Sequence, residues 1–210
     1  MAARRIHAGV IATALVLTDP AAAQTSKDSE LCESRNAASV DQQIEGCTAV
    51  LRRDPGNAAA FNNRGTAFDD KRDYDRAIAD YSEAVRLDPE YAEAFYNRGL
   101  AYRRKGAVDR AIQDYDRAIR LNPRYAAAFN NRGNALAQTG RYDRAIADFN
   151  EAIRLNADYA IAFVNRGLAY RNKGERDRAI ADFRKALTLR LDETTRKYIE
   201  TALAELGARP

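Results

Sequence analysis

The sequence predicts an all-α fold, an α-solenoid of stacked antiparallel helical hairpins. The first observation behind this is an internal repeat of 34 residues. Phe61, Phe95, Phe129 and Phe163 keep that step, as do Gly65, Gly99, Gly133 and Gly167, and Ala77, Ala111, Ala145 and Ala179. The second is periodicity inside each unit. Counting units from Ala58, Ala92, Ala126 and Ala160, the packing residues fall at positions 4, 8 and 11 and again at 20, 24 and 27. Each set has the four-then-three step of one helical face. The third is punctuation. Gly106, Gly140 and Gly174 end a first helix, and Pro55, Pro89 and Pro123 end a second. One such hairpin cannot bury its apolar face alone, so neighbouring units must stack.

Taken in order, residues 1–23 read as a secretory signal peptide. Arg4 and Arg5 supply a positive start, Ala8 to Leu17 is a short apolar run, and Ala21, Ala22 and Ala23 are small residues at the cleavage positions. The run is too short to span a bilayer. The alternatives are an uncleaved anchor or a misplaced start. The expected location is across the inner membrane, in the periplasm, with no stable membrane insertion after cleavage.

Residues 24–57 read as a linker and a degenerate helical hairpin. A helix around Ser39 to Arg53 shares the phase of later second helices through Ile44, Cys47 and Val50. The segment near Leu31 would be a shortened first helix. Cys32 and Cys47 are the only cysteines. In an oxidising compartment such a close pair suggests a disulfide, worth roughly 3 kcal/mol in the entropic account. Two free buried thiols are the alternative. A zinc site lacks ligands, because the only histidine, His7, lies in the signal segment.

Four regular units follow, at 58–91, 92–125, 126–159 and 160–193. Residues 194–210 form a capping helix, with Tyr198, Ile199, Ala202, Leu203 and Leu206 as one apolar stripe closed by Gly207. Solenoid ends need such covers.

These positions resemble the tetratricopeptide repeat (TPR) family, whose pattern wants an aromatic at 4, small residues at 8, 20 and 27, aromatics at 11 and 24, and proline at 32. The likeness covers residues 58 to 193. Departures are Ala157 and Leu191 at position 32, Arg72 for a turn glycine, Leu136 for an aromatic, and arginine at position 7 where leucine is usual. The resemblance implies a right-handed superhelix and a concave groove, lined by the first helices, where partners bind.

Position 6 faces that groove and is Asn63, Asn97, Asn131 and Asn165. Asparagine is a mediocre helix former, so its recurrence away from the core asks for a reason. An amide can bracket a peptide group of an extended partner. The superhelix of the nucleocytoplasmic N-acetylglucosamine transferase family is similar in carrying such a ladder. The alternatives are copying by duplication and structural bridging between helices. Tyr96 and Leu100 would seat an apolar side chain, and Arg103, Arg104 and Arg171 would meet acidic groups. Positions 2, 5 and 6 hold no basic residue, which disfavours the carboxylate-clamp mode of this family. Arg64, Arg98, Arg132 and Arg166 at position 7 have Asp80, Asp114, Asp148 and Asp182 on the matching margin of the second helix. They read as an Arg–Asp ladder, within or between units, at the margin of the buried stripe, with the arginine stems buried and the exposed pairs adding little, roughly 0 to 1 kcal/mol each. A ligand-binding arginine row is the alternative.

The 34 basic and 30 acidic residues are interspersed, which speaks against nucleic acid as a partner. No nucleophile lies beside a base and no phosphate-binding glycine loop is present, so no enzyme activity, cofactor or metal is expected. The expected function is an exported protein–protein interaction scaffold that holds an extended peptide or a partner helix. The rival is a structural, self-associating protein that assembles through its convex face or ends.

Overall fold

A computed structural model describes residues 20–33 and 39–209. Among these residues there are eleven helices and no strand. The hairpins are α1 (Pro20–Glu33) with α2 (Val40–Arg53), α3 (Ala58–Asp70) with α4 (Tyr74–Leu87), α5 (Ala92–Arg104) with α6 (Val108–Leu121), α7 (Ala126–Gln138) with α8 (Tyr142–Leu155), and α9 (Ala160–Asn172) with α10 (Arg176–Leu187). Helix α11 (Glu193–Glu205) covers the end. Residues 1–19 of the expected signal segment lie outside the described residues. Helix α1 is not shortened: it has 14 residues and begins at Pro20, ahead of the Ala23 boundary.

Each of the four regular hairpins closes on one lock. The aromatic at position 24 lies flat on the glycine at position 8, where a Cβ would meet the ring of Tyr81, Tyr115, Phe149 or Phe183 at 2.6–2.8 Å. These four aromatics are buried, as are the alanines at positions 20 and 27 that border them. The tight approach explains why position 8 is glycine although glycine weakens a helix interior.

Two kinds of turn set the path. After α5, α7 and α9 the chain passes through a left-handed residue, Gly106, Gly140 or Gly174, and between α3 and α4 Arg72 takes the same conformation with φ 60°. After each second helix an Asp or Asn side chain accepts from the amide two residues on. Asp54 does so from Gly56, Asp88 from Glu90, Asn122 from Arg124 and Asn156 from Asp158. This side-chain turn persists where Pro is replaced by Ala157. It is lost only after α10, where Arg190 holds that position, and there the repeat register ends.

Consecutive first helices α1, α3, α5, α7 and α9 touch one another, whereas no comparable contact joins consecutive second helices. The first helices therefore form the inner, concave side. At the far end Ile199, Ala202 and Leu203 of α11 are buried against Phe163, Val164 and Phe183. Tyr198 is not part of that stripe. It is 45 % exposed, because it lies on the rim of α11 rather than on the face turned to α9 and α10.

The first hairpin is degenerate in a specific way. Its equivalents of the locking pair are Leu31 and Cys47, and its equivalents of the Arg–Asp pair are Glu30 and Gly46. Neither lock can form. A disulfide joins Cys32 to Cys47 instead. Gly46 lets the two backbones approach, since a Cβ there would lie 2.9 Å from the Asp28 carbonyl oxygen. Arg53 reaches back to Asp28 at 2.7 Å.

Candidate functional site

The groove is built on the inner helices by a seam of hydrogen bonds between residues 35 apart. Asn97 Nδ2 donates to Asn62 Oδ1 at 3.0 Å, and Asn165 Nδ2 donates to Asn130 Oδ1 at 2.9 Å. Asn131 Nδ2 donates to the Tyr96 hydroxyl at 3.0 Å and to the Ala127 carbonyl at 3.0 Å. The acceptors Asn62 and Asn130 are buried between helices, only 1 % and 3 % exposed. The position-6 asparagines themselves stay partly exposed. Bridging between helices, one of the alternatives open from sequence, is thus part of their role. The Ala127 carbonyl fixes which end of the Asn131 amide is the donor. Among the described residues no donor reaches the Oδ1 atoms of Asn97, Asn131 or Asn165, so a row of acceptors remains along the groove.

Asn63 stands apart. Its place is a small cavity of about 70 Å³ beside Cys32, Val50 and Asn57. Asn97, Leu100 and Arg104 come together in a cleft of about 330 Å³ between α3 and α5, completed by Gln43, Thr66, Asp69, Asp70 and Tyr81. Arg104 Nη1 pairs with Asp69 Oδ2. The other carboxylate oxygen of Asp69 is buried and accepts no hydrogen bond. Tyr81 donates to Thr66 Oγ1 at 3.3 Å. Burial pushes the Tyr81 phenol up to about 12, partly offset by Thr66 and reinforced by the charge on Asp70.

Tyr96 lies with its ring 4.8 Å from Tyr125 and 6.0 Å from Tyr115. Burial raises its pKa, and Tyr159 adds to the effect. Tyr91, Tyr125 and Tyr159 recur every 34 residues at the entry to α5, α7 and α9. The row is visible in the sequence but falls outside the 4-8-11 face that the packing pattern marks. Arg103 lies beside the Tyr115 hydroxyl, which is buried and has no partner in hydrogen-bond geometry. Arg171 Nη1 lies 3.5 Å from Glu205 of the cap helix.

The position-7 arginines are structural. Each makes a fork onto the aspartate of its own hairpin: Arg64 on Asp80 at 2.8 Å, Arg98 on Asp114 at 2.8 Å, Arg132 on Asp148 at 2.8 and 2.6 Å, and Arg166 on Asp182 at 2.7 and 2.6 Å. The remaining nitrogen reaches the preceding second helix, at Thr48, Ser82, Asp116 and Asn150. The guanidinium also lies 5.4–5.6 Å from the centre of its own position-4 phenylalanine ring. The expectation of exposed, weak pairs is corrected: the arginines are about one-fifth exposed and the aspartates about one-tenth. Burial opposes the charge on Arg98 and Arg132, yet their carboxylate partners raise both pKa values.

A stack of hairpins with a ring-on-glycine lock and a polar inner groove belongs to the helical-repeat scaffolds. The chain is a member of the tetratricopeptide repeat family, whose model matches residues 62–126, 96–160 and 130–194. Among solved structures it is similar to MamA, with 30% identity, coverage of 82% of this chain and 95% of that chain, and a TM-score of 0.68. It is also similar to YrrB, described as a TPR protein with an unusual peptide-binding site, at 25% identity, 74% and 80% coverage and a TM-score of 0.64. PilF of Pseudomonas aeruginosa shares the fold at 18% identity, 88% and 84% coverage and a TM-score of 0.76. No curated protein sequence matches the chain.

Proposed function

We propose that this protein is an exported scaffold that holds an extended peptide segment of a partner protein in its concave groove. The observation that carries the reading is the row of partly exposed asparagines on α5, α7 and α9, whose oxygens accept no hydrogen bond among the described residues. Their nitrogens are used in the seam, and their oxygens can accept from main-chain N–H groups. Packed helices lie roughly 8–10 Å apart, and an extended chain rises about 3.3 Å per residue. One asparagine therefore meets about every third residue of a strand laid across the helices, whatever its side chains. YrrB, described as a TPR protein with an unusual peptide-binding site, supports a peptide as the kind of partner. Export rests on the pattern of residues 1–23.

The asparagines are poor probes, because removing Asn97 leaves buried Asn62 without its donor. A photo-cross-linking residue at Asn134 or Leu168 in the groove avoids this, with Ala147 on the outer helix α8 as control. In the native envelope fraction the groove positions should capture a partner and Ala147 should not. Capture only from the outer face, or cross-linking only to further copies of the chain, would replace this reading with self-association.

A further inference from the structure

We propose that the cleft between α3 and α5 receives a basic side chain, lysine or arginine, of the bound peptide; this rests on the groove reading and names the residue type selected at one register. Asp69 is the central observation. Its side chain is nine-tenths buried, and one carboxylate oxygen is committed to Arg104. The other oxygen is buried in the wall of the cleft without a hydrogen bond. An ionised oxygen in that position is stabilised by a donor, and most by a charged one. Asp70 adds a second carboxylate to the same lining. Within the cleft two carboxylates face the Arg104 guanidinium and the other lining groups are neutral, while Arg72 stands beside the same three charges on the adjoining surface.

The remaining walls suit a long cationic side chain. Leu100 offers apolar surface for an aliphatic stem, as such side chains require. Gln43, Thr66 and Asn97 offer polar atoms at the rim, and Asn97 is also the first acceptor of the row that would hold the main chain. A volume of about 330 Å³ admits one such side chain. An acidic side chain would oppose Asp69 and Asp70. A neutral amide would satisfy Asp69 but leave Asp70 unused. A bound metal ion is not favoured, since no group of three or more metal-binding side chains occurs among the described residues.

The test uses the full chain and dodecapeptide pools, acetylated and amidated so that no terminal ammonium competes. The central residue is lysine, arginine, norleucine or glutamate, and the other positions are randomised over uncharged residues. Binding is read by fluorescence anisotropy. The lysine and arginine pools should bind at least tenfold more tightly than the norleucine pool. Asp69→Asn should bring the lysine pool to the norleucine level. Arg104→Gln, which removes the competing cation, should tighten the lysine pool severalfold, a gain that general damage to the fold cannot mimic. If all pools bind alike, or if neither variant changes the lysine preference, the cleft proposal falls and the groove reading stands. If no pool binds, the groove reading falls and takes the proposal with it.

Discussion

At the scale of single residues, two positions carry a cost the fold does not need. Arg72 sits at φ 60° where the other three hairpins have glycine. A side chain in the left-handed region costs roughly 1–2 kcal/mol. Arg72→Gly should therefore stabilise the protein by about 1 kcal/mol, measured by urea unfolding. Tyr115 is the second. Burial holds its phenol near 12 in the folded chain, against about 10 when unfolded. The folded state keeps the proton longer, so stability is intact below pH 10 and falls as pH rises from 10 to 12, by about 1.4 kcal/mol per pH unit per group. Tyr81 behaves likewise. Tyr115→Phe should flatten that alkaline loss in thermal melts while leaving neutral-pH stability almost unchanged, because the hydroxyl has no hydrogen-bond partner to lose.

At the scale of the element, each of the four regular hairpins is held by a ring on a glycine and by an arginine that touches two second helices. Arg132 is bonded to Asp148 on α8 and to Asp116 on α6. Removing it strands two carboxylates, one of them buried, and breaking such a pair costs about 3–5 kcal/mol. Arg132→Ala should approach the lower end of that range in chemical denaturation. Arg132→Met with Asp148→Leu should recover a large part of the loss, because no buried charge is then left alone in that hairpin. The lock itself was legible in the sequence: Gly133 and Phe149 share the phase of three other pairs. The seam was not. Asn97 meets Asn62, and Arg104 meets Asp69, across 35 residues, one more than the repeat. That offset is set by how neighbouring helices slide and tilt, which periodicity does not encode. The asparagine row was visible, but its division into bridging nitrogens and free oxygens was not. The full length of helix α1 is not legible in the repeat pattern, because Lys27 holds the place of the aromatic at position 4 and Leu31 the place of the glycine at position 8. Its fold follows from its neighbour α2 rather than from the repeat pattern.

At the scale of the whole molecule, stability is the sum of hairpins and the junctions between them. The first hairpin has neither the ring lock nor the arginine fork, and one covalent link stands in for both. A bridge closing a loop of this length is worth about 3 kcal/mol. Reduction should therefore loosen the stack from one end. Hydrogen exchange after reduction should show α1 and α2 losing protection while α5 to α8 keep theirs. Uniform loss throughout would mean that the stack unfolds as one unit and that the hairpin is no separate domain of stability.

The third contact of each arginine also sets a rule for joining units. The residue that receives it is Thr48, Ser82, Asp116 and then Asn150: four different side chains, each able to accept a hydrogen bond. Any copied unit carries both halves of this joint, a donor in its first helix and an acceptor in its second, so units can be added or lost without redesigning the contact. In the last unit the acceptor is replaced by Arg184, which turns instead to the Arg209 carbonyl at 2.9 Å. A further unit placed there would bring guanidinium against guanidinium. At this end the joint that links the earlier units is therefore absent.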